Sequence, residues 1–215
     1  DSLTALAFAC QHGSLEAARA VLDAGYDINV DGDPLFQAAL TRQGGNMPLA
    51  ELLVAHGVKP RDNAAALFQL TENLDAAGVR WMLERGADPD YRTPGKEQGI
   101  WTPLDNAIHT YLVDPAQRQE VIRALLDAGA KHEDSALFDL LAGRIEPLRS
   151  RLDAQPALVR AHFDIQSNRV TSLEFGGHYG GAPLKQTTLL HHCAEFGFVE
   201  EAALLIERGA DVNGR

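Results

Sequence analysis

The chain has 215 residues, a formal net charge of −11 at neutral pH, 45% hydrophobic residues and 23% charged residues. That composition is ordinary for a globular protein, and the acidity, with no basic run in the chain, disfavours a surface built to displace counterions from nucleic acid or from an anionic membrane. No stretch of about 18 apolar residues is present, which excludes a membrane-spanning helix, and Cys10 and Cys193 are too few and too far apart for a disulfide framework, so a reducing, cytoplasmic setting is expected.

The N-terminal residues Asp1-Ser2-Leu3-Thr4-Ala5 carry neither an initiator Met nor a signal-peptide core, so the chain reads as processed or as a segment of something longer. From Thr4 to Gly13 an alanine-rich helix is predicted, with Thr4 as N-cap and Gly13 as the left-handed residue that stops it. A second helix follows from Ser14 to Ala24, with Leu15, Ala18, Val21 and Leu22 at helical spacing. Gly25 ends it, and Asp27-Ile28-Asn29 turns the chain outward.

The same plan recurs along the sequence. Asp33-Pro34-Leu35-Phe36-Gln37-Ala38-Ala39 opens a unit that closes at His56-Gly57, and Ala64 to Leu70 opens one that closes at Gly86-Ala87-Asp88-Pro89-Asp90. Trp81 falls within a second helix and reads as core. Thr102-Pro103-Leu104-Asp105-Asn106-Ala107 opens a fourth unit, closing at Ala128-Gly129-Ala130. A fifth, Ser135 to about Val159, is degenerate, with a short first helix and no closing Gly-Ala-Asp. The last runs from Thr188-Leu189-Leu190-His191 through Gly197 to Gly209-Ala210-Asp211-Val212-Asn213, and Gly197 to Gly209 repeats the interval from Gly13 to Gly25. Irregular gaps locate insertions near 91–101, 111–118 and 160–186.

These motifs resemble the ankyrin-repeat family, whose unit of about 33 residues opens on Thr-Pro-Leu-His-x-Ala. The resemblance implies an all-α solenoid of about six helix–turn–helix units in one domain, at roughly 2–30, 31–62, 63–91, 102–131, 133–159 and 187–215, with inserts at 91–101 and 160–186. It also implies helix pairs whose loops project to line a concave groove, and a monomer that binds a protein partner there. The Leu204-Leu205-Ile206 run makes a poor last surface for a solenoid, so further chain is expected beyond it.

Residues of types that can carry chemistry have plainer readings. His191-His192-Cys193, with His178 nearby in sequence, offers metal-ligand types, but adjacent helical residues point about 100° apart and converge poorly on one ion. His191 also aligns with the histidine of the family's opening motif, which links neighbouring hairpins. Glu200-Glu201 and the Asp88/Asp90 pair are expected on solvated surfaces, where no raised pKa prepares a general acid. The run Gly176-Gly177-His178-Tyr179-Gly180-Gly181 lacks the Lys-Ser/Thr of a phosphate loop. No catalytic, cofactor or metal residue is therefore assigned.

The long insert is more informative. His162-Phe163-Asp164-Ile165 and Arg169 to Phe175 are strand-like, and Ser167-Asn168 suits the turn between them, so a β-hairpin-like finger is expected over 160–186. Tyr, Trp and Arg are common interface anchors. The candidate partner-binding residues are Tyr91, Arg92, Trp101, His109, Tyr111, Phe175, His178 and Tyr179. Trp101 has an equal alternative as packing for the helix that starts at Thr102. Two other functions stay open: a small-molecule or enzymatic site built by the insert around His178 and Tyr179, and a regulatory arm of a multidomain protein.

Overall fold

A computed structural model describes residues 4–41, 45–92, 102–110, 112–163 and 186–214. Among them the chain forms helix pairs: α1 (Ala5–Gln11) with α2 (Leu15–Asp23), α3 (Gly32–Thr41) with α4 (Met47–Ala55), and α5 (Ala64–Glu72) with α6 (Ala76–Glu84). Then come α7 (Pro103–His109) with α8 (Pro115–Asp127), α9 (Ala136–Leu141) with α10 (Ile145–Ala154), and α11 (Leu189–Phe196) with α12 (Val199–Glu207). Short 3₁₀ turns at Pro60–Asp62 and Pro156–Arg160 complete the regular helical structure described.

Local chemistry explains where these helices begin. The Thr4 hydroxyl accepts from the Ala7 N–H at 3.1 Å, Asn46 accepts from Leu49 at 3.1 Å, and Asp75 from Gly78 at 2.9 Å. At α7 the cap is reciprocal: the Asp105 N–H donates to Thr102 Oγ1 at 3.1 Å, while the Thr102 N–H donates to the Asp105 carboxylate at 3.0 Å. At the end of α11, Gly197 adopts φ 75°, and a Cβ there would lie 3.1 Å from Pro115 Cγ. Only glycine suits both the backbone angle and the approach of the neighbouring unit.

The pairs stack in two rows. The first helices form one, α1 on α3, α3 on α5 and α5 on α7; the second helices form the other, with α2 on α4 and α6 on α8. Ala18, Ala50, Ala66 and Ala107, all fully buried, let the backbones approach closely. Phe36, Leu53, Leu67, Met82 and Ile122, also fully buried, fill the space between. Trp81 is only half-buried: its ring lies 6.0 Å from Phe36, and Arg85 covers it at 4.0 Å.

Two units depart from the plan. In the fourth, α7 stops at His109 and α8 already begins at Pro115, so the sequence insertion is confined to the stretch before 115 and residues 115–118 are helical. In the fifth, α9 has only 6 residues. The short helix lets α8 reach both following units: Arg123 Nε donates to the Ala142 carbonyl at 2.9 Å, and Gln119 Nε2 donates to Glu201 at 2.7 Å. Glu201 is consequently 6% exposed, which corrects its reading as a solvated carboxylate.

The base of the long insert is closed by a two-stranded antiparallel sheet. β1 (His162–Phe163) pairs with β2 (Thr187–Thr188), His162 opposite Thr188 and Phe163 opposite Thr187. The extended conformation at His162-Phe163 agrees with the sequence, and its partner strand is the pair of threonines just before α11. The expected strand from Arg169 to Phe175 and the turn at Ser167-Asn168 lie outside the described residues.

Candidate functional site

The row of first helices has an uneven charge. α1, α3, α5, α7, α9 and α11 contain Asp33, Glu72, Asp105, Asp139 and Glu195 but no Lys or Arg. The second helices carry Arg19, Arg80, Arg118, Arg123, Arg149 and Arg151. Asp105 is committed to its cap and the buried Asp139 to Arg151, leaving Asp33 and Glu195 exposed and Glu72 half-buried. The same row presents Phe8, which is 51% exposed. A phenyl ring left half in water on an otherwise alanine-rich helix is unusual among the apolar residues of this row, which are mostly buried.

Turns at one edge of the stack share a single construction. Asp27 accepts from the Asn29 N–H at 3.0 Å, Asp88 from the Asp90 N–H at 2.9 Å, and Asp211 from the Asn213 N–H at 2.9 Å. Each carboxylate thereby folds its own turn, and at Asp27 these bonds hold the carboxyl below its usual range. Successive turns are also tied: the Lys131 N–H donates to Asp90 at 2.8 Å, and the Asn63 amide to Asp33 at 2.9 Å. Between first helices, the buried Asn106 donates to the Phe68 carbonyl at 2.8 Å and Thr110 Oγ1 to the Glu72 carbonyl at 2.6 Å. These bonds brace neighbouring units along the edge and α5 against α7.

Of the residues singled out from the sequence, Tyr91 and Arg92 follow the Asp88 turn. Tyr91 is half-buried, with its N–H donating to the Asp88 carbonyl at 3.2 Å, and Arg92 is exposed. His109 is half-buried in the last turn of α7, on the first-helix row. Trp101, Tyr111, Phe175, His178 and Tyr179 lie outside the described residues.

The histidine and cysteine cluster on α11 has structural duties. His191 Nδ1 accepts from the Thr188 N–H at 3.3 Å and sits 2.8 Å from Thr188 Oγ1, a reciprocal cap like that of Asp105. His192 is fully buried, with Nε2 at 3.2 Å from Thr187 Oγ1, and burial, aided by the charge of His191, pushes its pKa down to about 4. Burial, with Glu201 adding to it, pushes the Cys193 thiol up to about 12, so it is no thiolate nucleophile at neutral pH. Among the described residues no group of three His, Cys, Asp or Glu could hold a metal ion.

Two residues escaped the sequence reading. Phe8 occupies the variable position of the opening motif, and an aromatic among alanines was the available signal. Arg118, 5% exposed, has none: it lies on an amphipathic helix where an arginine is ordinarily solvated. Its guanidinium donates to the carbonyls of Ala107 at 2.8 Å, Ile108 at 2.7 Å, Thr110 at 3.2 Å and Leu112 at 2.6 Å. It therefore satisfies the carbonyls that a glycine stop would otherwise leave to the turn, and its flat face lies 5.0 Å from the Phe196 ring centre in the last unit.

A family model described as ankyrin repeat matches residues 185–215. No curated protein matches the chain. Among solved structures, the chain is similar to an ankyrin repeat domain from Acinetobacter baumannii AYE, with 20% identity, a TM-score of 0.50, and coverage of 97% of this chain and 82% of that one. Identity at this level speaks to the fold alone. No described helix is long and apolar enough to cross a membrane. The recurring helix pairs, their two-row stacking and the shared fold together give this chain an ankyrin-repeat fold, whose last unit, residues 185–215, matches the family model.

Proposed function

We propose that the chain is a protein-interaction module whose partner seats on the row of first helices and the adjoining turns. Ankyrin repeats generally serve as protein-interaction modules. The observation that carries the reading here is the composition of the first helices: they expose Phe8, Asp33 and Glu195, and contain no Lys or Arg. Such a surface favours a partner segment with an apolar anchor and cationic rather than acidic flanks, since like charges across an interface are costly. The net charge of −11 argues in the same direction against nucleic acid. Tyr91, Arg92, Trp101, His109, Tyr111, Phe175, His178 and Tyr179 are proposed as further contacts.

The test is cross-linking mass spectrometry of partners captured by the full chain, by a Phe8→Glu variant, by a Tyr91→Ala/Arg92→Ala variant, and by a control altered on the second-helix row, Glu16→Lys. Partners held through the proposed face lose at least about tenfold in recovery with Phe8→Glu, as for the loss of an anchor residue, and are retained by Glu16→Lys. Partners that bind Phe8→Glu and Tyr91→Ala/Arg92→Ala as well as the unaltered chain would rule out this face.

A further inference from the structure

His192 is buried where the last unit meets the two ends of the long insert. Its ring is fully enclosed, lies 6.5 Å from the Phe196 ring in a stacked arrangement, and reaches Thr187 of β2 through Nε2 at 3.2 Å. Nδ1 is also enclosed and has no hydrogen-bond partner among the described residues. The neutral ring therefore keeps its proton on Nε2, donating to Thr187 Oγ1, because a bare buried nitrogen costs less than a buried N–H without an acceptor. A second proton has to enter at Nδ1, where nothing accepts it.

The surrounding charges do not compensate. On α11 itself stand His191, whose charge opposes a second one beside it, and the exposed Glu195. Glu200 and Glu207 of α12 are exposed, and Glu201 is held by Gln119. The 3₁₀ turn packed on α11 brings the exposed Arg160, β1 the exposed His162, and β2 no charged residue. From α8, the Arg118 guanidinium lies 5.0 Å from the centre of the same Phe196 ring. A protonated His192 is thus a buried cation without an acceptor, which must reach water or lose its proton. Burial, aided by His191, accordingly holds its pKa down at about 4.

Water reaches this ring most cheaply by way of β2. α11 is held to α12 through a core that includes the buried Leu189, Cys193, Phe198 and Leu205. β1 and β2 are joined by two residue pairs, in which His162 is exposed and Phe163, Thr187 and Thr188 are half-buried. The weaker joint opens first. We propose that His192 is an acid-operated latch: protonating its ring frees Thr187 and parts β2 from β1, releasing the two ends of the 164–185 segment from each other while the helix pairs stay stacked. The latch is separate from the partner surface and stands whether or not that surface binds.

The test follows amide exchange by NMR in the full chain, with intrinsic rates corrected for pH. A ring that titrates at 6.5 when β2 is open and at about 4 when it is closed raises the opening constant about fiftyfold between about pH 7 and about pH 4.5. The amides of β1 and β2 show that rise, and those of α5 and α6 change by less than about threefold. His192→Leu removes the titrating ring but keeps His162, and limits the β1–β2 response to less than about threefold. Imidazole shifts of the unaltered chain give a second reading that needs no variant. A His192 ring that titrates at or above about pH 6 overturns the proposal. So does the full acid response persisting in His192→Leu, or protection of β1 and β2 lost only in step with α5 and α6.

Discussion

Replacing Arg118 by Met tests the account of the fourth unit most directly. Methionine keeps an apolar stem beneath Phe196 and removes every donor. Three of the four hydrogen bonds, those to Ala107, Ile108 and Thr110, are fully buried, while the bond to Leu112 lies at a partly wet edge. A buried carbonyl left without a donor costs about 1–3 kcal/mol. The lower end applies here, because removing a buried guanidinium also relieves its desolvation. Three carbonyls at that level give a loss of about 3 kcal/mol, or about 10 °C in melting temperature for a chain of this size. Burial lowers the guanidinium pKa to about 10, still well above neutral, so the variant is compared with a charged side chain. Urea unfolding followed by circular dichroism reads the global loss, and hydrogen exchange in α7 reads where it falls. Arg118→Lys recovers only part of it, since an ammonium lacks the planar fork that spans four acceptors. A melting temperature for Arg118→Met within about 2 °C of the parent, or full recovery by Lys, would refute the capping role.

Acid sensitivity should trace to His192. Its folded pKa, about 4, lies below the ordinary histidine value, so the unfolded chain binds the extra proton first as the pH falls. The stability that depends on neutral His192 is complete above about pH 6.5 and is lost progressively toward pH 4, by an amount on the order of 3 kcal/mol. Urea midpoints at pH 7, 5.5 and 4.5 follow that loss, and His192→Leu flattens the dependence across the window. Two glycines separate backbone strain from crowding: Gly25→Ala, at φ 92° with nothing within 4 Å of the added Cβ, costs about 1 kcal/mol. Gly197→Ala, with Pro115 at 3.1 Å, costs about 2 kcal/mol in the same denaturation assay. Phe8→Ser leaves stability within about 0.5 kcal/mol, because the ring is half exposed, while lowering partner recovery; a larger loss would place Phe8 in the core.

The repeat plan was legible in the residues because its signals are local. A Thr, Ser, Asn or Asp cap, a period of apolar positions and a left-handed glycine each act within one or two helical turns, and Thr4, Thr102, Gly13 and Gly197 perform those roles in the structure. The short first helix of the fifth unit was readable for the same reason, whereas His191, expected from the resemblance to link neighbouring hairpins, bonds to Thr188 at the start of its own helix. Of the proposed site, the sequence named Tyr91 and Arg92 at the start of an insert and His109 as candidate contacts; that Tyr91 and Arg92 follow the Asp88 turn and that His109 ends α7 came from the structure. The sequence missed Phe8, because the helical period tells which residues share a face and not which face a neighbour will cover.

What only the tertiary structure decided is the fate of polar residues in a long-range setting. Glu201 reads as one of a solvated pair, yet it is buried by Gln119 from a helix 82 residues earlier. Arg118 falls at the end of the stretch read as an insertion, yet it is helical and enclosed because α7 ends without a glycine stop and Phe196 of the last unit closes over it. His162 and Phe163 were extended by composition, but their pairing with Thr187 and Thr188 follows from bringing the two ends of the insert together. Backbone shape here follows from neighbours along the chain, whereas burial of a charge requires donors or acceptors that arrive only when distant units stack.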